Sequence, residues 1–381
     1  MKLIQCAFAP RRYAKALKLF TGLACVALLF GLAQYSLSGC SRQDAQAFLT
    51  YLCNSYRRGE ISGDLCPYLC SENFSNIECQ AQHLGKEVVF SATWNSDRIV
   101  LKAKKRLLSS LEPVYWVDGR RRRHYPDDKT FAHMANAQFR FVLRRNGSWV
   151  KGFFGSHWTN SEMDSLYGLL QQTEYLFSLA LRNYRAVASL RGTCGHAYAV
   201  EFLSPLETHV QGSGAFKQRA GIALRILRTL ETLRNAMDEQ IHQCDMKPNH
   251  FGVDETGDVK MLDLDALGLQ SAVQANIANT GRCESDQDCD FFDCAGRCND
   301  QGLCDAVVLN DNLQRVCKNI FMGKIFGRFS GLLRGPPSNI AGDISVALSD
   351  CISSTTFPVA SNESYAIHKR LVELLQKALV P

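Results

Sequence analysis

The sequence predicts a two-lobed α+β fold, in which a small β-rich lobe precedes a larger helical lobe, behind a membrane anchor and a cysteine-rich segment. Three observations carry this prediction. Alternating apolar strands occupy residues 88–102, and a segment with helical periodicity runs from about 164 to 183. A second helical segment then leads into a polar loop and two short strands at 243–263. A chain of 381 residues with 46% hydrophobic content can bury such a core.

The N-terminus has the pattern of a signal anchor. Residues 1–18 carry five basic side chains and no acidic one, and residues 19–39 lack charge. About twenty residues, at ~1.5 Å each, cross a hydrocarbon core of about 30 Å. The basic flank favours a cytosolic tail, so we predict a single-pass type II protein with its bulk in the lumen. A cleaved signal peptide, giving a Golgi or secreted protein, and a lipidated N-terminus at Cys40 are the alternatives.

Cysteine usage indicates an oxidising compartment. Fourteen of the 16 cysteines lie at or beyond Cys40, a density that is unusual in a cytosolic enzyme. Zinc is the rival explanation, but Cys66-x3-Cys70 and Cys294-x3-Cys298 lack paired histidines at finger spacing. Residues 40–80 are too few to bury a core alone, so we predict a bridged segment that caps the following domain.

The net charge and the glycosylation sequons give little information about the function. The formal charge of +6 comes from scattered basic residues, so nucleic acid is not an expected partner. Three Asn-x-Ser sequons are candidates for glycosylation in an exported domain: Asn73, Asn146 and Asn362.

Residues 243–263 carry the most specific pattern in the chain. An Asp-x-Lys-Pro turn begins at Asp245, and Asp263 follows eighteen positions later, after two short apolar strands. Phosphoryl transfer needs one carboxylate to orient the attacking hydroxyl, a lysine beside it and another carboxylate to hold Mg²⁺. Asp245, Lys247 and Asp263 fit these roles, and the pattern resembles the catalytic loop and metal-binding Asp of protein kinases.

The small lobe offers matching residues for a nucleotide. Apolar strand residues lead into Lys102, which resembles the nucleotide-anchoring lysine of kinases, and Lys104 on the same face is the second choice. Glu174 lies beside the apolar stripe of the next helix, an order that resembles the kinase small lobe. In kinases a helix Glu pairs with the strand Lys, so the resemblance implies that Glu174 pairs with Lys102. Only Gly85 is present where kinases have three spaced glycines over the phosphates.

We place the small lobe at 81–204, with an insertion at 106–160, and the large lobe at 205–381, with a cysteine-rich insert at 283–317. Strands are expected at 187–190 and 197–203. The first helix of the large lobe is predicted from an apolar series in steps of three and four: Ile226, Leu230, Leu233, Met237 and Ile241.

Two features depart from an ordinary kinase. His250 occupies the slot, five positions after Asp245, where kinases have an Asn for the second Mg²⁺; we interpret it as a packed loop histidine and take Asn249 as a weak metal ligand. In the insert, three aspartates imitate the first EF-hand ligands, but Phe291 replaces the turn Gly and Arg297 the closing Glu. Calcium is therefore not expected.

Taken together, the anchor, the Gly-Asp-Leu-Cys-x3-Cys segment at 63–70 and the Asp-Met-Lys-Pro loop look like the divergent protein kinase domain family of the secretory pathway, made up of single-pass, cysteine-rich endoplasmic reticulum membrane proteins. The resemblance implies a lumenal protein-kinase-like domain that uses ATP with Mg²⁺ or Mn²⁺ and phosphorylates a hydroxyl of a protein or glycan. The alternative is a pseudokinase that acts as a disulfide-stabilised binding module.

Overall fold

The computed structural model of the protein describes residues 42–71, 74–81, 87–104, 111–144, 149–210, 216–323, 331–353 and 361–379. The helices are α1 Arg42–Arg57, α2 Cys66–Leu69, α3 Asp128–Leu143, α4 Trp149–Phe154, α5 Asn160–Leu170, α6 Thr173–Ala180, α7 Phe216–Arg234, α8 Gln270–Ala278, α9 Asn312–Val316, α10 Ala341–Ser353 and α11 Ser361–Leu379. The strands are β1 Phe74–Ala81, β2 Glu87–Trp94, β3 Asp97–Lys104, β4 Trp116–Val117, β5 Arg123–His124, β6 Leu190–Cys194, β7 Ala197–Glu201, β8 Ser204–Pro205, β9 Ile241–Gln243, β10 Phe251–Val253, β11 Val259–Met261 and β12 Leu267–Leu269.

The small lobe is built on an antiparallel sheet with strand order β1-β2-β3-β7-β6. The predicted strand pair is confirmed as the β2–β3 hairpin, whose turn residues Asn95 and Ser96 both have positive φ, as a two-residue hairpin turn requires. Alternation along β3 turns Ile99 and Leu101 to one face, where they are buried. Lys102 therefore lies on the opposite face of the sheet.

The cysteine-rich segment covers the outer face of this sheet. Apolar residues of α1, including Leu49 and Leu52, pack in one core with Phe90 and Leu101. Disulfides join Cys53 to Cys70 and Cys66 to Cys194, and the second bond ties the segment to β6. Strand β1 crosses the boundary that the sequence placed at residue 80, because sheet pairing with β2 continues the segment into the lobe.

Close backbone contact explains the glycine of the Gly-Asp-Leu-Cys sequence. Gly63 has φ +148°, and a Cβ there would lie 2.2 Å from the carbonyl oxygen of Thr193. The Leu65 N–H donates to the same carbonyl at 2.9 Å, and Asp64 Oδ1 accepts the Thr193 N–H at 2.7 Å. The segment thus runs against β6 at a distance that only glycine permits.

The single helix predicted from 164 to 183 is wrong: the structure has α5 and α6, with a break at Gln171 and Gln172. Gln172 is extended, and its side chain donates to the carbonyls of His196 at 2.7 Å and Gly168 at 3.0 Å. Its Oε1 accepts the Lys104 N–H at 3.2 Å. These bonds tie Gln172 to α5, to the turn between β6 and β7, and to β3. The helix therefore ends here, and Glu174 falls in the first turn of α6.

The predicted insertion, residues 106–160, contains the β4–β5 hairpin and helices α3 and α4. Helix α3 packs against α6 and β12, with Phe131, Ala135 and Phe139 fully buried in the main core. Asp127 caps its N-terminus by accepting the Thr130 N–H. The insertion therefore supports the helix that carries Glu174.

Two further predictions about elements need correction. Helix α7 ends at Arg234, and Ile241 instead begins β9, where it pairs with Leu269. Ile241 fitted the helical spacing of apolar residues because it is also buried, although in a strand. The strand expected at 187–190 starts at Leu190, because Val187 forms only an isolated bridge with Met261.

The large lobe is cross-linked around its cysteine-rich insert. Among the described residues, further disulfides are Cys244–Cys294, Cys283–Cys298, Cys289–Cys304 and Cys317–Cys351. The prediction of disulfides is confirmed. Sulfurs of Cys283, Cys289 and Cys298 lie near one another, but all three belong to disulfides.

The three EF-hand-like carboxylates of the insert accept hydrogen bonds from its own backbone. Asp286 accepts from the Cys298 N–H at 2.8 Å, Asp288 from the Ser285 N–H at 2.8 Å, and Asp290 from the Gly296 N–H at 3.1 Å. These carboxylates therefore stabilise local turns.

No helix within residues 42–379, as far as the structure describes them, is both long and apolar enough to span a membrane. The predicted anchor at 19–39, the tail at 1–18, Gly85, Asn73 and Asn146 lie outside the described residues.

Candidate active site

The loop that follows β9 presents Asp245 between the two lobes. Gln243, which is fully buried, links the two acidic segments: its Nε2 donates to the Asp263 carbonyl at 2.8 Å, and its Oε1 accepts the Asp245 N–H at 3.2 Å. Sequence reasoning assigned Gln243 no role in the site. Its amide fixes the separation of the two backbone segments that carry the carboxylates.

The two predicted carboxylates converge on one imidazole. His250 Nε2 lies 3.5 Å from Asp263 Oδ2 and 3.9 Å from Asp245 Oδ2. The side chains of Asp263 and Asp245 are 25% and 23% exposed, so both reach solvent in the same cleft. The Asp265 N–H donates to Asp263 Oδ1 at 3.0 Å and orients that carboxylate.

The other two predicted residues of this loop, Lys247 and Asn249, are exposed. Lys247 is 55% exposed, and its Nζ lies 2.7 Å from Asp245 Oδ1. Asn249 is exposed on the 3₁₀ turn Pro248–His250, and no contact in the described part of the chain joins it to either carboxylate. We expected Asn249 to lie at the metal site, but the side chain that faces both carboxylates is His250.

The predicted pair of the small lobe is present. Lys102 Nζ forms a hydrogen-bonded ion pair with Glu174 Oε1 and also donates to the Leu262 carbonyl at 2.6 Å. Tyr198 donates its hydroxyl to Glu174 Oε2 at 2.8 Å. Burial lowers the Lys102 pKa, but attraction to Glu174 and Asp263 outweighs it, so the pKa of Lys102 is raised and the ammonium persists at neutral pH.

Lys102 therefore reaches the residue that immediately precedes Asp263, and the lobes meet at this point. Lys102 and Lys104, the second choice, line one small cavity at this point. Lys104 has no described ion pair. That cavity has a volume of about 10 Å³, which is room for about one water molecule. The other residues that line it are Val89, Ala103, Gln172, Glu174, Tyr198 and Asp265.

The cysteine-rich insert holds the backbone on both sides of Asp245. The Asp293 N–H donates to the Cys244 carbonyl at 2.6 Å, and Asp293 Oδ2 accepts the Met246 N–H at 2.8 Å. Asn319 Nδ2 donates to the Met246 carbonyl at 3.2 Å. With the Cys244–Cys294 disulfide, these contacts attach the loop to the cysteine-rich insert and to Asn319 just beyond it. Sequence reasoning missed Asp293 and Asn319, because they come from distant positions without a local motif.

A buried polar network anchors β9. Arg315, 1% exposed, donates to His242 Nδ1 at 3.0 Å and to Asn312 Oδ1 at 2.8 Å, and His242 Nε2 contacts Gln270 Oε1. Because Arg315 can only donate, Nδ1 accepts and the neutral imidazole carries its proton on Nε2. Burial and the cation of Arg315 lower the pKa of His242 to about 4.

We expect this histidine to make the fold sensitive to acid. The pKa of His242 is about 4 in the folded chain and about 6.5 when unfolded, so the unfolded state binds the proton first as pH falls. The neutral His242 therefore contributes about 3 kcal/mol to the free energy of unfolding above pH ~6.5, and this contribution is lost as the pH falls from about 6.5 to 4. Denaturant unfolding of wild type and His242→Gln at pH 7 and pH 4.5 measures this. Equal losses in the two proteins would contradict the assignment.

Two protein-family models match the chain. Residues 166–354 match the protein-kinase domain of FAM69, and residues 12–147 match the N-terminal cysteine-rich endoplasmic reticulum segment of FAM69. The first match spans α6, the loop of Asp245 and the insert; the second spans the cap, β3 and the α3 insertion. The β-sheet lobe followed by a helical lobe, and the disulfides, agree with these matches. The chain therefore belongs to the FAM69 family, a divergent kinase-like family of cysteine-rich endoplasmic reticulum proteins.

Proposed function

We propose that the protein is a phosphotransferase that moves the γ-phosphate of ATP to a hydroxyl of a protein or glycan. The observation that carries the proposal is the convergence of Asp245 and Asp263 on His250, with Lys102 bonded to Glu174 and to the residue before Asp263. Two carboxylates and a buried lysine held between lobes are what phosphoryl transfer requires.

Each side chain has one role in this proposal. Asp245 orients the acceptor hydroxyl and takes its proton as the oxygen attacks the γ-phosphorus and the bond to the leaving ADP breaks. Lys247 and Lys102 balance phosphate charge, and Glu174 holds Lys102 in position. Asp263 would hold Mg²⁺ or Mn²⁺, a cation that offsets the negative charge of the phosphates. A partly exposed carboxylate beside His250 Nε2 and Asp245 fits such a cation.

Location and modification are part of the same proposal. A basic tail at 1–18 and an apolar stretch at 19–39 support a single-pass type II protein of the endoplasmic reticulum membrane, with the kinase-like domain in the lumen. The disulfides fit that oxidising compartment. Asn362 is exposed in the first turn of α11 and is a candidate for glycosylation, as are Asn73 and Asn146.

A pseudokinase is the second candidate, and one observation favours it. The cavity beside Lys102 holds only about one water molecule, so a phosphate chain could enter there only after the lobes separate. A chain that stays closed would serve as a disulfide-stabilised binding module in the early secretory pathway.

Nucleotide binding by the full-length protein in detergent separates the two candidates. We expect ATP with Mg²⁺ or Mn²⁺ to raise the unfolding temperature, since ligand at a hundred times Kd stabilises by about 2.7 kcal/mol. Asp263→Ala should abolish the shift, while Asp300→Ala, an exposed aspartate of the insert, should keep it. No shift in the wild-type protein would leave the binding module as the function.

A further inference from the structure

His250 has an unusual environment for a packed loop histidine. It is 6% exposed, and its Nδ1 lies 2.8 Å from the Asp245 carbonyl oxygen. A carbonyl can only accept, so Nδ1 carries a proton and Nε2 is the ring nitrogen that is available for a further partner. The backbone of the catalytic loop itself therefore sets which nitrogen is free.

The free nitrogen is aimed between two negative groups. Nε2 lies 3.5 Å from Asp263 Oδ2 and 3.9 Å from Asp245 Oδ2, separations longer than those of ordinary hydrogen bonds. Nε2 and the two carboxylates face the same space, so together they can bind one cation, which displaces any proton on Nε2 when it binds. The 3.5 Å separation is also close to the spacing of about 3 Å between adjacent ligands of a six-coordinate ion with bonds of ~2.1 Å.

The donor set decides which cation suits this space. Mg²⁺ takes oxygen ligands and loses its water reluctantly, so an imidazole nitrogen is a poor substitute for an amide oxygen. First-row transition cations accept imidazole, with affinities that increase from Mn²⁺ onward. A nitrogen in the slot where kinases have an asparagine oxygen thus changes the preference of the site.

We propose that His250 Nε2 binds the divalent cation beside Asp263 Oδ2, and that this nitrogen makes the site select a first-row transition cation such as Mn²⁺ over Mg²⁺. The inference rests on the proposed phosphotransferase function. It names the cofactor class of that site and the side chain that determines it.

Metal affinities with a non-hydrolysable ATP analogue test the proposal on the full-length protein. Mn²⁺ and Mg²⁺ are titrated separately, and thermal stabilisation gives a dissociation constant for each cation. We expect His250→Asn, which restores the amide of ordinary kinases, to reduce the preference for Mn²⁺ by about tenfold or more. His133→Asn, which changes an exposed histidine of α3, should leave the preference unchanged.

Pulsed EPR of bound Mn²⁺ gives a readout that does not depend on activity. Wild type should show a nitrogen coupling that changes when histidine is labelled with ¹⁵N, and His250→Asn should lose it. If the variant does not fold, the labelled wild-type protein alone decides. Nucleotide binding without a histidine coupling, or with the same Mn²⁺ preference in His250→Asn, overturns this inference and leaves the proposed function intact. No metal-dependent nucleotide binding in either protein overturns both.

Discussion

Removal of the Cys66–Cys194 disulfide, by Cys66→Ala with Cys194→Ala, should lower the free energy of unfolding by about 5 kcal/mol in the chain-entropy account of cross-links. The bond joins residues that are 128 positions apart and ties the cap to β6, so its loss releases a long loop in the unfolded chain. Such a loss is a large part of the 5–15 kcal/mol that stabilises an ordinary domain.

Guanidinium unfolding under non-reducing conditions measures the effect. The matched control is Cys283→Ala with Cys298→Ala, which opens a separation of only 15 residues and should cost about 3 kcal/mol. A smaller loss for the long bond than for the short one would contradict the role given to the cap.

Replacement of Lys102 by methionine should destabilise the protein by about 3–5 kcal/mol, because it leaves the Glu174 carboxylate buried without a counter-charge. The glutamate side chain is only 10% exposed, so water cannot replace the lost ammonium. The same change should abolish metal-dependent nucleotide binding.

A double-mutant cycle separates the pair from simple packing loss. Lys102→Met combined with Glu174→Gln removes both charges and keeps an acceptor for the Tyr198 hydroxyl, so it should recover much of the stability lost in Lys102→Met alone. Additive losses, measured by denaturant unfolding at pH 7, would mean that the two side chains do not interact.

Local patterns were enough to predict the β2–β3 hairpin, whereas the pairing of Lys102 with Glu174 was predicted from the resemblance to the kinase small lobe. Strand alternation determines which face Lys102 occupies, and the spacing from Asp245 to Asp263 is that of a short hairpin. The break at Gln172 was missed because it depends on the carbonyl of His196 and the N–H of Lys104, which lie 24 and 68 positions away in the chain.

The same limit applies to the candidate site. Asp293 and Asn319 fix the loop through contacts with Met246 across 47 and 73 residues, a distance over which no periodicity operates. His250 was interpreted as a packed loop histidine, and Asn249 was taken as a weak metal ligand. The 3₁₀ turn does bury His250, but it exposes Asn249 and directs the imidazole toward both carboxylates.

The central claim is that Lys102 and the carboxylates of Asp245 and Asp263 share one nucleotide site. An ATP derivative with an acyl group on its terminal phosphate acylates a lysine amine that lies beside the bound phosphates, and mass spectrometry of the full-length protein identifies the lysine. We predict that Lys102 is labelled, that excess ATP with Mn²⁺ prevents the labelling, and that Asp263→Ala loses this protection. Labelling of Lys102 that ATP does not suppress, or that merely equals labelling of the exposed Lys217, would contradict the claim.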